Sequence, residues 1–162
     1  MQASDILYRI PQYILDESSI FLYEKGLEGC EGTALWIGRP IVDDAGQIDI
    51  VRLFIPEQIC IKTSYGVAVD LTERAHYTLT DNLKPGERFY IRIHSHPEEA
   101  YHSKRDNNNQ VITHQGALSI VVPNFAIQPI NLQECAIYRL EHGKGWLDLS
   151  NKEIDNIFKV MP

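Results

Sequence analysis

Short apolar segments, each closed by a proline or a glycine, recur along the chain and constrain it to a sheet that is covered on both faces. Residues 33–38 (TALWIG) are nearly all apolar and end in glycine. In the next segment Ile48, Ile50, Arg52 and Phe54 face one way and Asp49, Val51, Leu53 and Ile55 the other, with Pro56 as the stop. A strand sends alternate side chains to opposite faces, so an apolar majority on both requires material above and below. Residues 88–94 alternate as well: Phe89, Ile91 and Ile93 on one face, Tyr90, Arg92 and His94 on the other. Residues 118–122 end at Pro123, and residues 136–140 and 146–149 flank a turn at His142-Gly143-Lys144-Gly145. A short strand is also expected at residues 6–10, and a turn at Asp43-Asp44-Ala45-Gly46.

Helical spacing supplies the covering layers. Pro11 suits a first helical position, where its missing N–H costs nothing. Ile14, Ser18 and Phe21, with Ile10 and Leu22 close to the same face, predict a helix over residues 11–25 that Gly26 ends. A second helix is expected over residues 71–83, stopped by Pro85-Gly86, and a short one over residues 103–109, weakened by three consecutive asparagines. Ser150 and Glu153 form a capping-box pattern ahead of Ile154, Ile157 and Phe158. The expectation is one α/β domain over residues 1–162: a single mixed sheet of roughly six strands flanked by helices.

Hydrophobic residues make up 44% of the 162-residue chain, enough for a core. The formal net charge of -7, with Lys104-Arg105 the closest approach to a basic run, argues against a duplex nucleic-acid partner and an acidic membrane surface. Cys30, Cys60 and Cys135 are far apart, odd in number and outside any CxxC, which predicts free thiols and, by default, a reducing cytoplasm. The opening MQASDILYRIP does not resemble a signal peptide, and no run approaches the length of a membrane span.

The chemistry concentrates in His94-Ser95-His96-Pro97 and, beyond it, Ser103 and Asp106. Two histidines two apart on a strand point to one side, so both imidazoles can hold one zinc ion. Ser103 and Asp106, three apart on a helix, share a face. Asp106 then supplies a third ligand and leaves a fourth position to water, as in a catalytic zinc site. A carboxylate must take and pass the proton. Glu31 is the candidate, although the residues alone do not separate it from Glu28, Glu98 or Glu99. Ser103 is placed to donate a hydrogen bond to a developing oxyanion. His102 is set aside as a ligand, because a fourth protein ligand would displace the water. Arg92 shares a strand face with His94, so it either contacts a carboxylate behind the site or faces solvent. His76, His114 and His142 are expected to be surface or satisfied histidines, and Trp36 and Trp146 core residues. Cys30, without a base partner, is not expected to be a nucleophile.

Glu31 in EGTALWIG, His94 and His96 in HSHP, and Ser103 and Asp106 in SKRD together resemble the JAMM metalloproteases, also called the JAB or MPN-plus domain. The resemblance covers most of the chain. It implies an α/β fold similar to that of cytidine deaminases. It also implies His94, His96 and Asp106 as Zn2+ ligands, Glu31 as general acid/base and Ser103 as oxyanion helper. The chain looks like the compact bacterial type, with no insertion long enough for an extra ubiquitin-binding module. Its implied reaction is hydrolysis of the amide or isopeptide bond at the C-terminus of a ubiquitin-like protein or its conjugate, beside E1-like or E2-like proteins. Residues 52–64 and Tyr101 are the expected reader of an extended C-terminal tail. The chain departs from the family pattern in a loop from Pro97 to His102 that is one residue short, in Ala34 where a glycine is usual, and in the lead-in Tyr90-Ile91-Arg92-Ile93. Two competing readings are a zinc hydrolase or deaminase of small molecules, which needs a closed pocket, and a non-catalytic MPN-type scaffold, which needs lost ligands.

Overall fold

The computed structural model describes residues 5–109 and 111–162. Residues 1–4, the start of the segment judged not to be a leader, lie outside them, so the domain is described from residue 5 onward. In chain order the elements are β1 (Leu7–Pro11), α1 (Gln12–Leu27), β2 (Thr33–Ile41), β3 (Asp44–Phe54), β4 (Gln58–Thr63), β5 (Gly66–Leu71), α2 (Glu73–Thr78), β6 (Arg88–Ser95), α3 (Lys104–Asn107), β7 (Leu118–Val122), β8 (Ala136–Glu141), β9 (Gly145–Asp148), α4 (Asn151–Ile157) and β10 (Phe158–Met161).

Eight strands form one mixed sheet in the order β10-β1-β3-β2-β6-β7-β8-β9. β1 runs parallel to both β10 and β3, and β6 parallel to β7, while the other neighbours are antiparallel. The α/β class and the large mixed sheet flanked by helices are therefore as expected, but the single sheet is not. β4 and β5 pair with each other in a separate hairpin that supplies one wall of the site described below. The predicted helix over residues 71–83 is shorter. Leu71 ends β5, Thr72 caps α2 by accepting the Ala75 N–H, and a 3-10 turn follows at Leu79–Asn82. There Thr78 Oγ1 and Asn82 Nδ2 bond to main-chain carbonyls, competition that favours short turns over a continuing helix. Phe158, read above as helical, instead starts β10.

The sheet has a core on each face. One contains Ile14, Leu15 and Leu22 of α1, Ala34 and Trp36 of β2, Ile91 and Ile93 of β6, and Leu118, Ile120 and Val122 of β7. Trp36 is fully buried and donates its indole N–H to Ser18 Oγ at 3.0 Å, which explains the serine on the apolar stripe of α1. The other core contains Leu35, Ile37, Phe89, Ile112 and Ala117. A register shift between Trp36 and Ile37 leaves Tyr90 without a directly opposed partner on β2. That bulge moves Tyr90 into the α1-side core and Phe89 into the other, the reverse of what strict alternation predicts. Beyond the bulge the alternation holds, so Arg92 and His94 emerge on the face away from α1.

Candidate metal centre

His94 and His96 stand at the end of β6, a central strand whose backbone is held on both sides. Thr33 pairs with His94 across β2, and Val121 pairs with it across β7. One step further, the His96 N–H donates to Val122 O at 2.9 Å and the Phe125 N–H donates to His96 O at 2.8 Å. Both imidazoles are buried. α3 brings the carboxylate: Ser103 is its N-cap, accepting the Asp106 N–H at 3.1 Å, while Asp106 Oδ2 accepts the Ser103 N–H at 2.8 Å. This reciprocal capping box locks the Asp106 side chain toward the histidines. His94 Nε2 lies 3.1 Å from Asp106 Oδ1, and His96 Nε2 lies 3.2 Å from Asp106 Oδ2.

The donor set fits a divalent metal ion. One ligand atom from each of His94, His96 and Asp106 lies within 4.8 Å of the others. His94 Nε2 is buried and, although close to the carboxylate, makes no well-directed hydrogen bond, as expected of a lone pair aimed at a shared point. Burial keeps the His94 imidazole below its ordinary pKa, and therefore neutral. For His96 burial acts in the same sense, but the Asp106 hydrogen bond and the Glu31 charge outweigh it and raise its pKa. Burial pushes the Asp106 carboxyl upward. The two imidazoles beside it and the Ser103 N–H win, holding it well below the usual carboxylate range.

Glu31 reaches the same place from the loop between α1 and β2. Its carboxylate is buried and its pKa is pushed up to about 7, chiefly by burial, with His96 opposing and Asp106 adding to the rise. Glu31, His94, His96, Ser103 and Asp106 all line one cavity of about 660 Å³. Glu98 and Glu99 line it too, but they are exposed; Glu28, also exposed, does not.

The Glu31 loop is fastened by Ser95, Gln58, Lys62 and a disulfide. Ser95, between the two histidines, is fully buried, and its Oγ accepts the Gly32 N–H at 3.0 Å. The Gln58 side chain pairs with both the N–H and the carbonyl of Thr33. Lys62 Nζ donates to Glu28 O at 2.7 Å. Cys30 and Cys60 form a disulfide, which corrects the expectation of free thiols. The two are 30 residues apart in sequence, but β4 runs beside the Glu31 loop and brings their Cα atoms to 5.7 Å. With two of the three cysteines bridged, a reducing compartment no longer follows from cysteine usage. Cys135 remains a free thiol. No helix among the described residues is long and apolar enough to cross a membrane.

Two further expectations need correction. None of residues 52–64 lines the cavity; the wall is Tyr65 through Leu71. Arg52 is instead paired with the buried Glu87 at 2.6 Å, so it is a structural ion pair. Arg92 is neither solvent-facing nor bound to a carboxylate: it is buried and donates to main-chain carbonyls and to Ser119. His102 sits behind the site, stacked on Tyr138 at 4.3 Å, and is not among the lining residues. A serine alternating out of a metal-binding strand, and an arginine within an apolar one, were the available signals for Ser95 and Arg92.

No protein-family model matches the sequence. Probable metalloprotease y4jG of Sinorhizobium fredii is 34% identical over 152 residues, spanning 93% of this chain and 92% of that protein. The fold is similar to the solution structure of protein DSY2949 from Desulfitobacterium hafniense, with a TM-score of 0.56, 14% identity, and coverage of 96% of this chain and 93% of the other.

Proposed function

The chain belongs to the family of Probable metalloprotease y4jG, and from that premise we propose that it is a zinc-dependent peptidase or isopeptidase of the JAMM type. A metal-dependent hydrolase is the coarser reading that the relative and the His94, His96 and Asp106 cluster support together. Two imidazoles and one carboxylate suit zinc with a position left for water. Zinc so held polarises a water and brings its pKa toward neutrality.

The chain's own groups divide the remaining work. Glu31 takes a proton from the attacking water and delivers it to the leaving amine, and a carboxyl with a pKa near 7 can do both. The water oxygen bonds to the carbonyl carbon, the C–N bond breaks, and the products are a carboxylate and an amine. Ser103 Oγ already accepts the Asp106 N–H, which leaves its O–H free to donate to the carbonyl oxygen as charge develops there. Asp106, ionised by its hydrogen bonds, contributes negative charge to the donor set.

An extended polypeptide is the proposed substrate. β5 pairs with β4 along one edge, and the same strand lines the cavity. A peptide can add along its other edge by main-chain hydrogen bonds, with side-chain specificity coming from the wall. The C-terminal tail of a ubiquitin-like protein, handled beside E1-like or E2-like partners, is the specific form of this reading.

The single observation that carries the proposal is the convergence on one cavity of a loop carboxylate, a strand-end histidine pair and a capped-helix serine and aspartate. The test is cleavage of ubiquitin-like fusions bearing a C-terminal extension. Hydrolysis is expected to need zinc and to vanish in Glu31→Gln. Cleavage that persists in Glu31→Gln and under chelation overturns the reading.

A further inference from the structure

Of the five site residues Asp106 stands on α3 and Ser103 caps it, and α3 is a single helical turn. So short a helix has little stability of its own. Something must hold it against the end of β6, or Asp106 and His94 would not stay in register.

Arg92 makes that connection. It lies two residues before His94 and is buried. Its Nη2 donates to Asp106 O at 2.5 Å and its Nη1 to Asn109 O at 3.4 Å. Both carbonyls belong to α3 and the turn just after it; Asp106 O also accepts the Asn109 N–H, at 3.3 Å, a longer bond than the one from Arg92. Nε donates to Ser119 Oγ at 3.1 Å on β7, which fixes the guanidinium to the strand next to β6.

The surroundings hold the fork in one plane. The guanidinium carbon lies 4.5 Å over the Trp146 ring. His102 Nε2 is 3.1 Å from Nη2 and 3.0 Å from Ser119 Oγ, and His102 Nδ1 is 2.6 Å from Asn107 Oδ1. With Nδ1 donating to the Asn107 carbonyl oxygen, Nε2 is left as an acceptor for Arg92. Burial and, after it, the Arg92 charge lower the His102 pKa to about 4 against the Asn107 bond, so this acceptor is not protonated at neutral pH.

We infer that Arg92 is a positioning residue: through the main-chain carbonyls of Asp106 and Asn109 it sets α3, and with it Ser103 and Asp106, against the histidine-bearing end of β6. Arg92 lines the cavity, but its guanidinium nitrogens are directed at Ser119, Asn109, His102 and Asp106. Only a planar fork can reach a hydroxyl on β7 and two carbonyls of α3 together, so lysine cannot replace it. The inference rests on the metal site proposed above.

The test measures Zn2+ affinity by chelator competition and amide hydrogen exchange in the metal-free protein, for the wild type, Arg92→Ala, Arg92→Lys and His94→Ala. Zn2+ affinity is expected to fall roughly ten- to hundredfold in both Arg92 variants. Added guanidinium ion is expected to restore part of it in Arg92→Ala. The Asn107 and Asn108 amides, bonded to Ser103 O and Lys104 O, should exchange faster in Arg92→Lys, while the β6 and β7 amides keep their protection. If Arg92→Ala does not fold, Arg92→Lys alone carries the comparison. Wild-type affinity and unchanged Asn107 and Asn108 exchange in Arg92→Lys overturn the inference. If the wild type binds no Zn2+, or His94→Ala binds it equally well, the metal site itself fails, an outcome distinct from a failed role for Arg92.

Discussion

Ser95 and Gly32 clasp each other twice: the serine Oγ accepts the Gly32 N–H at 3.0 Å, and the Ser95 N–H donates to Gly32 O at 3.1 Å. The pair joins the residue after Glu31 to the residue between His94 and His96, so the Glu31 loop is referenced directly to the histidine-bearing end of β6.

Ser95→Ala should therefore separate catalysis from metal binding. The substitution leaves a buried N–H unsatisfied, at a cost of about 1 to 3 kcal/mol in stability. Zn2+ affinity is expected to stay within a few-fold of wild type, because the ligand side chains keep their own supports, while kcat falls at least about tenfold because Glu31 loses its reference. Equilibrium denaturation, chelator competition and steady-state kinetics read the three quantities.

The disulfide between Cys30 and Cys60 acts on the same loop from the other side. It closes 30 residues of chain, and its loss is expected to cost about 3 kcal/mol. Cys60→Ser should lower the unfolding free energy by that order and reduce activity, again with metal affinity little changed. Treating the wild type with a dithiol reductant should reproduce the variant, and Cys135→Ser, which lies outside the bridge, should leave the reductant response intact.

Stability of the metal-free protein should depend on pH through Glu31. Its folded pKa, about 7, exceeds its ordinary value of 4.5, so the folded state binds the proton more tightly than the unfolded state. The favourable contribution is complete below pH 4.5 and is lost as pH rises through 7. Glu31→Gln, which has no such titration, is expected to match the wild type near pH 4 and to exceed its stability by up to about 3 kcal/mol near pH 8. Urea denaturation in chelator at the two pH values tests the sign; a variant less stable than wild type at pH 8 contradicts it.

Metal affinity should fall on the acid side for a different reason. A ligating imidazole must be unprotonated, and His96 has its pKa raised above 6.5 by Asp106 and Glu31 despite its burial. Once pH drops below the His96 value, Zn2+ affinity is expected to decline about tenfold per pH unit. Asp106 stays ionised and the His94 pKa lies below its ordinary value, so His96 is the ligand whose protonation sets the acid-side loss. Competition titrations between pH 5 and pH 8 measure it.

Much of the frame was legible because its signals are local. Apolar runs marked β2 and β7, alternation marked β3 and β6, and a capping box marked α4. Histidines two apart at a strand end face one way, and Ser103 three before Asp106 makes a capping box, so the grouping of His94, His96 and Asp106 could be anticipated from spacing. Local rules broke down where a distant partner chose the outcome. Tyr90 and Phe89 exchanged faces because β2 and β6 pair with a bulge between them. The hairpin of β4 and β5 left the main sheet, and its proximity to the Glu31 loop paired two cysteines that sequence distance had kept apart.

The sequence by itself determined which side chains have the chemistry to hold a metal and move a proton, since periodicity and residue type act within a few residues of chain. The burial that raises the Glu31 pKa, what wall faces the histidines, and what becomes of the cation on Arg92 were decided only by the tertiary structure. Those outcomes depend on burial and on hydrogen-bond partners tens of residues away, and the cost of desolvating a charge exists only once the surrounding elements have closed around it.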